Sequence, residues 1–230
     1  MLEELLLIWK APVSRRRFII GKLSKNENTY YFKYTNPELE DAKKDGFNYF
    51  PGFNDLDKEY TSNTLFTNIA TRLPNPLRPD YLEILNSYNL ETDSTKMEIL
   101  KATKGRLLTD NFEFVPPFDR NNKIEFDIAG TRHYLLEKNI IENLKINDNL
   151  KLEHEPDNKE DQYAIKVLYE CEDKMVLLGY VPRYYSRELT NLLSKGVKYS
   201  AKIESLKLES DIRDEDVTAS VKLIFENEQN

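Results

Sequence analysis

Leu152-Glu153-His154-Glu155-Pro156-Asp157-Asn158-Lys159-Glu160-Asp161-Gln162-Tyr163-Ala164-Ile165-Lys166-Val167 is the stretch on which the reading of this chain turns. It opens on the end of a run that alternates apolar with polar residues over 149–154. It closes on a second run, 163–169, rich in aromatic and β-branched side chains. Between the two lies a polar segment of Pro, Asp and Asn. Alternation predicts two strands, and the polar segment predicts the turn region joining them. The segment Asp157-Asn158-Lys159-Glu160-Asp161 has the acidity of a calcium loop. It lacks the alternating oxygen ligands and the turn glycine that such a loop needs, so it reads as a solvated connection.

Strand texture continues outward on both sides. Residues 124–130 and 175–181 read as strands, 139–144 and 184–193 as helices, and 198–208 and 217–225 as a pair of alternating strands. Gly196 stops the second of these helices. Residues N-terminal to about 116 have a different texture. Short strands are predicted at 4–9, 17–23 and 28–34. Asn36-Pro37 opens a helix to about Lys44, with proline at its first position. Leu65, Phe66, Ile69, Ala70 and Leu73 fall at helical spacing, and Pro74, Pro76 and Pro79 end that run. Two more helices are predicted at 80–88 and 94–103, the latter closed by Gly105. Residues 111–119 read as an extended segment leading into a linker that contains Pro116-Pro117. The chain is thus expected to be α+β, with a first domain over 1–115, a linker at 116–123 and a second domain over 124–230.

Composition narrows the function. The 230 residues include 14 Tyr and 11 Phe, more aromatics than a disordered chain carries, and a globular, soluble protein is expected. The longest apolar run is Leu5 to Trp9, far short of the ~20 residues of a membrane helix, and the N-terminus lacks the basic and small-residue features of a signal peptide. The single cysteine, Cys171, excludes a disulfide framework and predicts a reducing, cytoplasmic setting. Two histidines and one cysteine are too few for a four-ligand zinc site. The formal net charge is −7, with much of the acidity in 204–228, which disfavours a nonspecific DNA coat but allows a local basic site.

Enzyme signatures are missing. Gly21-Lys22 has no upstream glycine to make a phosphate loop, and neither a dinucleotide-binding glycine pattern nor a serine nucleophile elbow is present. Cys171 lies in Tyr169-Glu170-Cys171-Glu172-Asp173, an acidic setting that does not favour a thiolate nucleophile. A carboxylate-metal nuclease using Asp157, Glu160 and Asp161 is the enzymatic alternative, though neighbouring acids on one loop do not by themselves converge on a metal. No cofactor and no catalysis are expected. Binding is the better reading.

Three separated segments carry it: Gly130-Thr131-Arg132-His133-Tyr134, the quoted stretch, and Leu178-Gly179-Tyr180-Val181-Pro182-Arg183. Brought to one face, they would gather guanidinium groups that bind phosphate, rings that stack on bases, and a carboxylate that accepts a bond from a free sugar hydroxyl but repels a continuing phosphate. From spacing alone, the alternative is that Arg132 and Arg183 are solvated charges and Tyr134 and Tyr180 are core rings.

The order of these segments resembles a HIRAN domain, through Glu155-Pro156-x-Asn158-x-x-Asp161-x-x-Ala164-Ile165-x-Val167 followed by Gly179-Tyr180-Val181-Pro182. The resemblance runs from about 124 to 225. It implies an OB-like β-barrel with accessory helices that binds the 3′ end of single-stranded DNA. It also implies that Arg132 and Arg183 contact phosphate, that Asp161 meets the terminal 3′-hydroxyl, and that Tyr180 is the phosphate-contacting ring. Asn158 belongs to the same set. The translocase version of the family clamps the end base between two tyrosines; His133 and Glu160 stand at those positions here.

The first domain resembles the N-terminal subdomain of HipA-like kinases over about 5–115. The residues that carry this are Gly21-Lys22-Leu23, Phe32-x-Tyr34, Thr64-Leu65-Phe66, Leu73-Pro74, and Gly105-Arg106-Leu107-Leu108-Thr109-Asp110. The kinase core has no counterpart in the chain. This resemblance implies a small sheet packed with helices and a second role: an antitoxin-like subunit that docks onto, and restrains, a separate HipA-like kinase. The densest basic spot, Arg15-Arg16-Arg17, is a candidate contact for phosphate or an acidic partner, against the plainer reading of a solvated turn.

Overall fold

The computed structural model describes residues 2–35, 38–121, 123–134, 143–207 and 218–226. It divides into two compact units, Met1–Pro117 and Phe118–Asn230. Both are built on antiparallel sheets with few helices. Among the described residues no helix is long and apolar enough to cross a membrane.

The first unit holds β1 (Glu3–Lys10), β2 (Arg17–Asn26), β3 (Thr29–Tyr34), β4 (Tyr60–Ser62) and β5 (Phe112–Val115), in the sheet order β4-β3-β2-β1-β5. Four short helices accompany them: α1 (Leu39–Lys44), α2 (Thr67–Ala70), α3 (Tyr81–Ser87) and α4 (Lys96–Thr103). The extended stretch expected before the linker is therefore a sheet strand, with Phe114 opposite Leu7 on β1. Leu5, Leu7, Trp9, Phe18, Ile20, Leu23 and Phe32 point to one side of the sheet and are buried with Phe47, Phe50 and Phe53 from the following loop. Tyr34 fastens that loop. Its hydroxyl donates to the Phe53 carbonyl at 2.6 Å and accepts the Phe50 N–H at 2.8 Å, and burial pushes its pKa up to about 12. Gly21 sits where a Cβ would lie 2.9 Å from the Phe32 ring, so the β2–β3 hairpin packs this ring only across a glycine.

α4 starts with a capping box: Thr95 accepts from the Glu98 N–H and Glu98 accepts from the Thr95 N–H, which satisfies two otherwise unpaired donors. α2 is shorter than its apolar spacing predicts. Arg72, just past its end, turns inward with its side chain only 3% exposed. It donates to the Gly105 carbonyl at 3.0 Å, pairs with Asp110, and lies over the rings of Phe50 and Phe112. Holding one buried guanidinium in this cage outweighs another helical turn, since an unpaired buried charge costs several kcal/mol. Glu113 is the second buried charge. Arg17 and Arg106 both donate to its carboxylate.

In the second unit the strands are β6 (Ile124–Asp127), β7 (Asn149–His154), β8 (Ile165–Cys171), β9 (Lys174–Tyr180), β10 (Tyr199–Lys207) and β11 (Thr218–Phe225), in the order β6-β11-β10-β7-β8-β9. Two helices are described, α5 (Thr131–Tyr134) and α6 (Arg183–Ser194); the helix expected at 139–144 falls largely outside the described residues. The ladders leave β6 and β9 as sheet edges. One isolated antiparallel bridge, Ala129 to Tyr180, joins the chain just past β6 to the end of β9. This is less than the continuous pairing that closes a barrel of the expected OB-like kind. Phe126, Ile128, Ile165, Val167, Leu178, Leu189, Ile203, Val221 and Leu223 form its buried side.

The 130–134 segment, which follows β6, is helical from Thr131 to Tyr134. Gly130 takes a φ of +81°, and the His133 N–H bonds the Gly130 carbonyl at 2.9 Å. Cys171 ends β8 at a two-residue turn formed by Glu172 and Asp173, both at positive φ, as a tight hairpin requires.

Glu113 makes the first unit acid-sensitive. Burial raises its pKa, but the charges of Arg106, Arg17 and Lys104 outweigh burial and hold it at about 2. Its ordinary value is near 4.5, so the stability it lends is full above that pH and is lost as pH falls through about 2. That contribution is of order 3 kcal/mol. Glu113→Gln should flatten the acid limb of the stability profile and, by removing the buried carboxylate that Arg17 and Arg106 share, destabilise the chain at pH 7 by about 3–5 kcal/mol. Urea unfolding between pH 3 and 7 measures both effects.

Candidate functional site

The polar stretch between β7 and β8 is a folded loop, closed at its base by the Glu155 N–H on the Ala164 carbonyl at 2.8 Å and the Ala164 N–H on the Asp161 carbonyl at 2.9 Å. Asn158 shapes its tip. Its side-chain oxygen accepts the N–H groups of Glu160 at 3.0 Å and Asp161 at 3.1 Å, the local pattern for which Asn is suited.

Glu155 is the hub beneath the tip. One carboxylate oxygen accepts from the Asn158 amide at 2.7 Å and from the Tyr180 hydroxyl at 2.9 Å; the other pairs with the Lys166 ammonium at 2.7 Å. Strand register brings these groups together. Ile165 and Val167 face the core, so Lys166 between them faces out, directly opposite Tyr180 on β9. The Asn158 amide first, then Lys166 and Tyr180, hold the Glu155 carboxyl at about 2 against the opposing pull of burial. Burial and the bond to Glu155 push the Tyr180 hydroxyl well above the usual tyrosine range. Tyr180 gives its proton to Glu155, so a phosphate could receive a bond from this hydroxyl only after that bond breaks.

Gly179 makes the next connection. The β8–β9 register steps by one residue between Val167 and Leu168, leaving Leu178 as an extra residue. Gly179 follows at φ +145°, where a Cβ would lie 2.4 Å from the Ala129 carbonyl oxygen. Only glycine permits the Ala129 bridge, and the bridge sets α5 against the end of β9. The Tyr134 ring meets Tyr180 edge-on at 5.8 Å, and His133 lies beside Tyr134 at 6.4 Å. Both His133 and Tyr134 are exposed.

α6 completes the arrangement. Arg183 is its first residue and Pro182 its N-cap. The Ser186 hydroxyl, one turn along, lies 2.8 Å from the Asp161 carboxylate and 2.9 Å from the Arg183 carbonyl. The other Asp161 oxygen accepts the Tyr163 N–H at 3.0 Å. Thr190 donates to the Tyr163 carbonyl, and Arg187 lies over the Tyr163 ring, so the loop is seated on α6 at several points. The Arg183 guanidinium is half-buried and makes no ion pair or hydrogen bond with any described residue.

Contacts thus link Asn158, Tyr180, Tyr134 and His133 through Glu155, and join Asp161 to the first turn of α6, where Arg183 sits. The Arg132 side chain lies outside what is described. Glu160 is exposed at the loop tip. Arg15, Arg16 and Arg17 are all partly exposed: Arg17 pairs with Glu113, Arg16 lies over the Phe18 ring, and Arg15 is partnered and sits at φ +61°. Asp157, Glu160 and Asp161 do not converge; among the described residues no group of three or more Asp, Glu, His or Cys side chains is placed to hold a metal ion. Glu155, Lys166 and Ser186 had no assigned part in the sequence. Strand alternation could have flagged Lys166 as facing out, whereas nothing local signals that Ser186 meets a loop 25 residues earlier.

Residues 121–222 match the HIRAN domain family model. The crystal structure of the HIRAN domain of human HLTF is similar at 15% identity, covering 45% of this chain and 74% of that one, with a TM-score of 0.34. A crystal structure of a protein from Lactobacillus plantarum is similar at 18% identity, covering 45% of this chain and 99% of that one, with a TM-score of 0.33. No curated protein matches the sequence. The HIRAN match does not extend to residues 1–120, and the likeness of the first unit to HipA-like kinases rests on its sequence alone.

The hub has a direct test. Glutamine has one side-chain oxygen and cannot accept from Asn158, Tyr180 and Lys166 together. Glu155→Gln should therefore speed amide exchange at Asn158, Glu160 and Asp161 while leaving the β1–β5 sheet unchanged. In the unaltered protein the same amides should stay protected from neutral pH to below pH 4 and lose protection as pH falls through about 2, where Glu155 takes up its proton.

Proposed function

We propose that the second unit is a non-catalytic module that binds the 3′ end of single-stranded DNA. Supporting it most is Arg183: a half-buried guanidinium at the start of α6 without an ionic partner among the described residues, on a residue whose backbone carbonyl shares the Ser186 hydroxyl with the Asp161 carboxylate. A half-buried cation without an ionic partner among the described residues is suited to an anion, and the first turn of a helix adds positive partial charge. A carboxylate next to it accepts a bond from a terminal hydroxyl and repels a further phosphate. In this reading Arg183 and Arg132 hold backbone phosphates, Asp161 meets the 3′-hydroxyl, and His133 supplies the stacking ring. Tyr180 supports the Tyr134 ring rather than donating to phosphate. Glu160 cannot close a second stacking face, so the end base is held from one side. The sheet, bridged once between its edges, acts as a partly open barrel of OB type, and the protein works in the reducing cytoplasm.

Fluorescence polarisation with short oligonucleotides tests this. A free 3′-hydroxyl strand should bind at least tenfold more tightly than the same strand with a 3′-phosphate. Arg183→Ala should weaken binding about tenfold and lower the log–log salt slope by about 0.7, the value for one released phosphate contact on a single strand. Equal binding of both strands, or no salt response to Arg183→Ala, overturns the reading.

The first unit is proposed as a protein-docking module for a HipA-like kinase, which the chain would restrain in the manner of an antitoxin. Supporting this are the sequence likeness and one observation: Gly105, Arg106 and Asp110 of the likeness serve the unit's own core through Arg72 and Glu113, so the unit needs no kinase core to satisfy them. Co-expression with a kinase encoded beside this gene should give a co-purifying complex and relief of toxicity. Recovery of the kinase alone sets the docking role aside.

A further inference from the structure

We infer that Ser186 is the positioning residue that lets this site tell a free hydroxyl end from a phosphorylated one, by holding the Asp161 carboxylate and the first turn of α6 in one arrangement. The inference rests on the end-binding reading above and goes beyond it in naming what sets its specificity.

Ser186 is 1% exposed, so it does not itself reach a bound strand. Its hydroxyl has one proton and lies within bonding distance of two acceptors, the Asp161 carboxylate at 2.8 Å and the Arg183 carbonyl at 2.9 Å. Asp161 has no other side-chain donor among the described contacts. The Tyr163 N–H holds its first oxygen, and Ser186 holds its second. An ionised carboxylate offers about four acceptor positions, so with two filled it keeps room for an incoming hydroxyl, and its orientation is set before the ligand arrives. The seating of the loop on α6 does not depend on this bond alone. Thr190 binds the Tyr163 carbonyl at 3.1 Å, and Arg187 covers the Tyr163 ring. Ser186 is thus the contact that reports on Asp161 specifically, because the other two would keep the loop docked without it.

The reasoning separates two strands. One ending in a hydroxyl uses the oriented carboxylate; one ending in a phosphate does not. Loss of the Ser186 hydroxyl frees the carboxylate to rotate, which weakens the first and leaves the second as it was. A residue that merely supported the fold would weaken both alike.

Fluorescence polarisation on the full chain, with a 3′-hydroxyl and a 3′-phosphate oligonucleotide of the same sequence, decides it. Ser186→Ala should lower affinity for the hydroxyl strand about tenfold, with the phosphate strand within twofold of wild type and the melting temperature little changed. Ser186→Thr keeps the hydroxyl and should restore the wild-type ratio. A Ser186→Ala protein that keeps the wild-type ratio, or loses affinity for both strands equally, overturns the inference alone. A wild-type protein that binds both strands alike overturns the end-binding reading and the inference with it. The two failures are told apart by the wild-type measurement.

Discussion

Two backbone hydrogen bonds between Ala129 and Tyr180, at 2.8 and 2.9 Å, hold the second unit's site together. They exist because residue 179 has no side chain: a Cβ there would fall 2.4 Å from the Ala129 oxygen. The energy of two such bonds is modest, about 1 kcal/mol each. Their consequence is geometric. They set the turn carrying His133 and Tyr134 against the end of β9, so that the Tyr134 ring meets Tyr180. From Tyr180 the contacts continue through Glu155 to Lys166 and to the loop tip at Asn158.

The polar chain is unusual in being nearly self-satisfied. Glu155 accepts from three donors, and its charge is balanced by Lys166. Such a network resists rearrangement because breaking one bond leaves a half-buried polar group without a partner. The adjoining group is different. Arg183 has no ionic partner among the described residues, while Asp161, already held by two donors, keeps acceptor capacity. A neutralised frame, a cation without an ionic partner among the described residues and a carboxylate with spare acceptor capacity fit the proposed end-binding role, in which geometry is fixed beforehand and interaction capacity is kept for a ligand.

The first unit uses its charges the opposite way. Arg72, Arg106 and Arg17 are consumed by Asp110 and Glu113. Arg72 and Glu113 are the buried members, where an unpaired ion would cost several kcal/mol, and their partners reach them from elsewhere in the unit. In the basic run of the sequence, Arg17 is half of an internal ion pair. A run of arginines carries no information about which of them the fold will neutralise.

Much of this architecture was legible from residues alone, because the signals are local. Apolar alternation marks β7, β8, β10 and β11, and the polar stretch between β7 and β8 marks the loop that holds Asn158 and Asp161. The helix predicted at 94–103 with Gly105 closing it marks α4. The family likeness over 124–225 rests on such short-range spacings. The rest depended on distance through space. The open edges of the sheet, the shortening of α2 by the inward turn of Arg72, the helical turn at 131–134, and the meeting of Ser186 with Asp161 each join residues that the sequence keeps apart. The sequence by itself determined which side chains this site has to work with. Only the tertiary structure decided which of them are already bonded to one another and which are left with capacity to bind, because hydrogen bonds and ion pairs are settled by proximity across strands and helices and leave no trace in residue order.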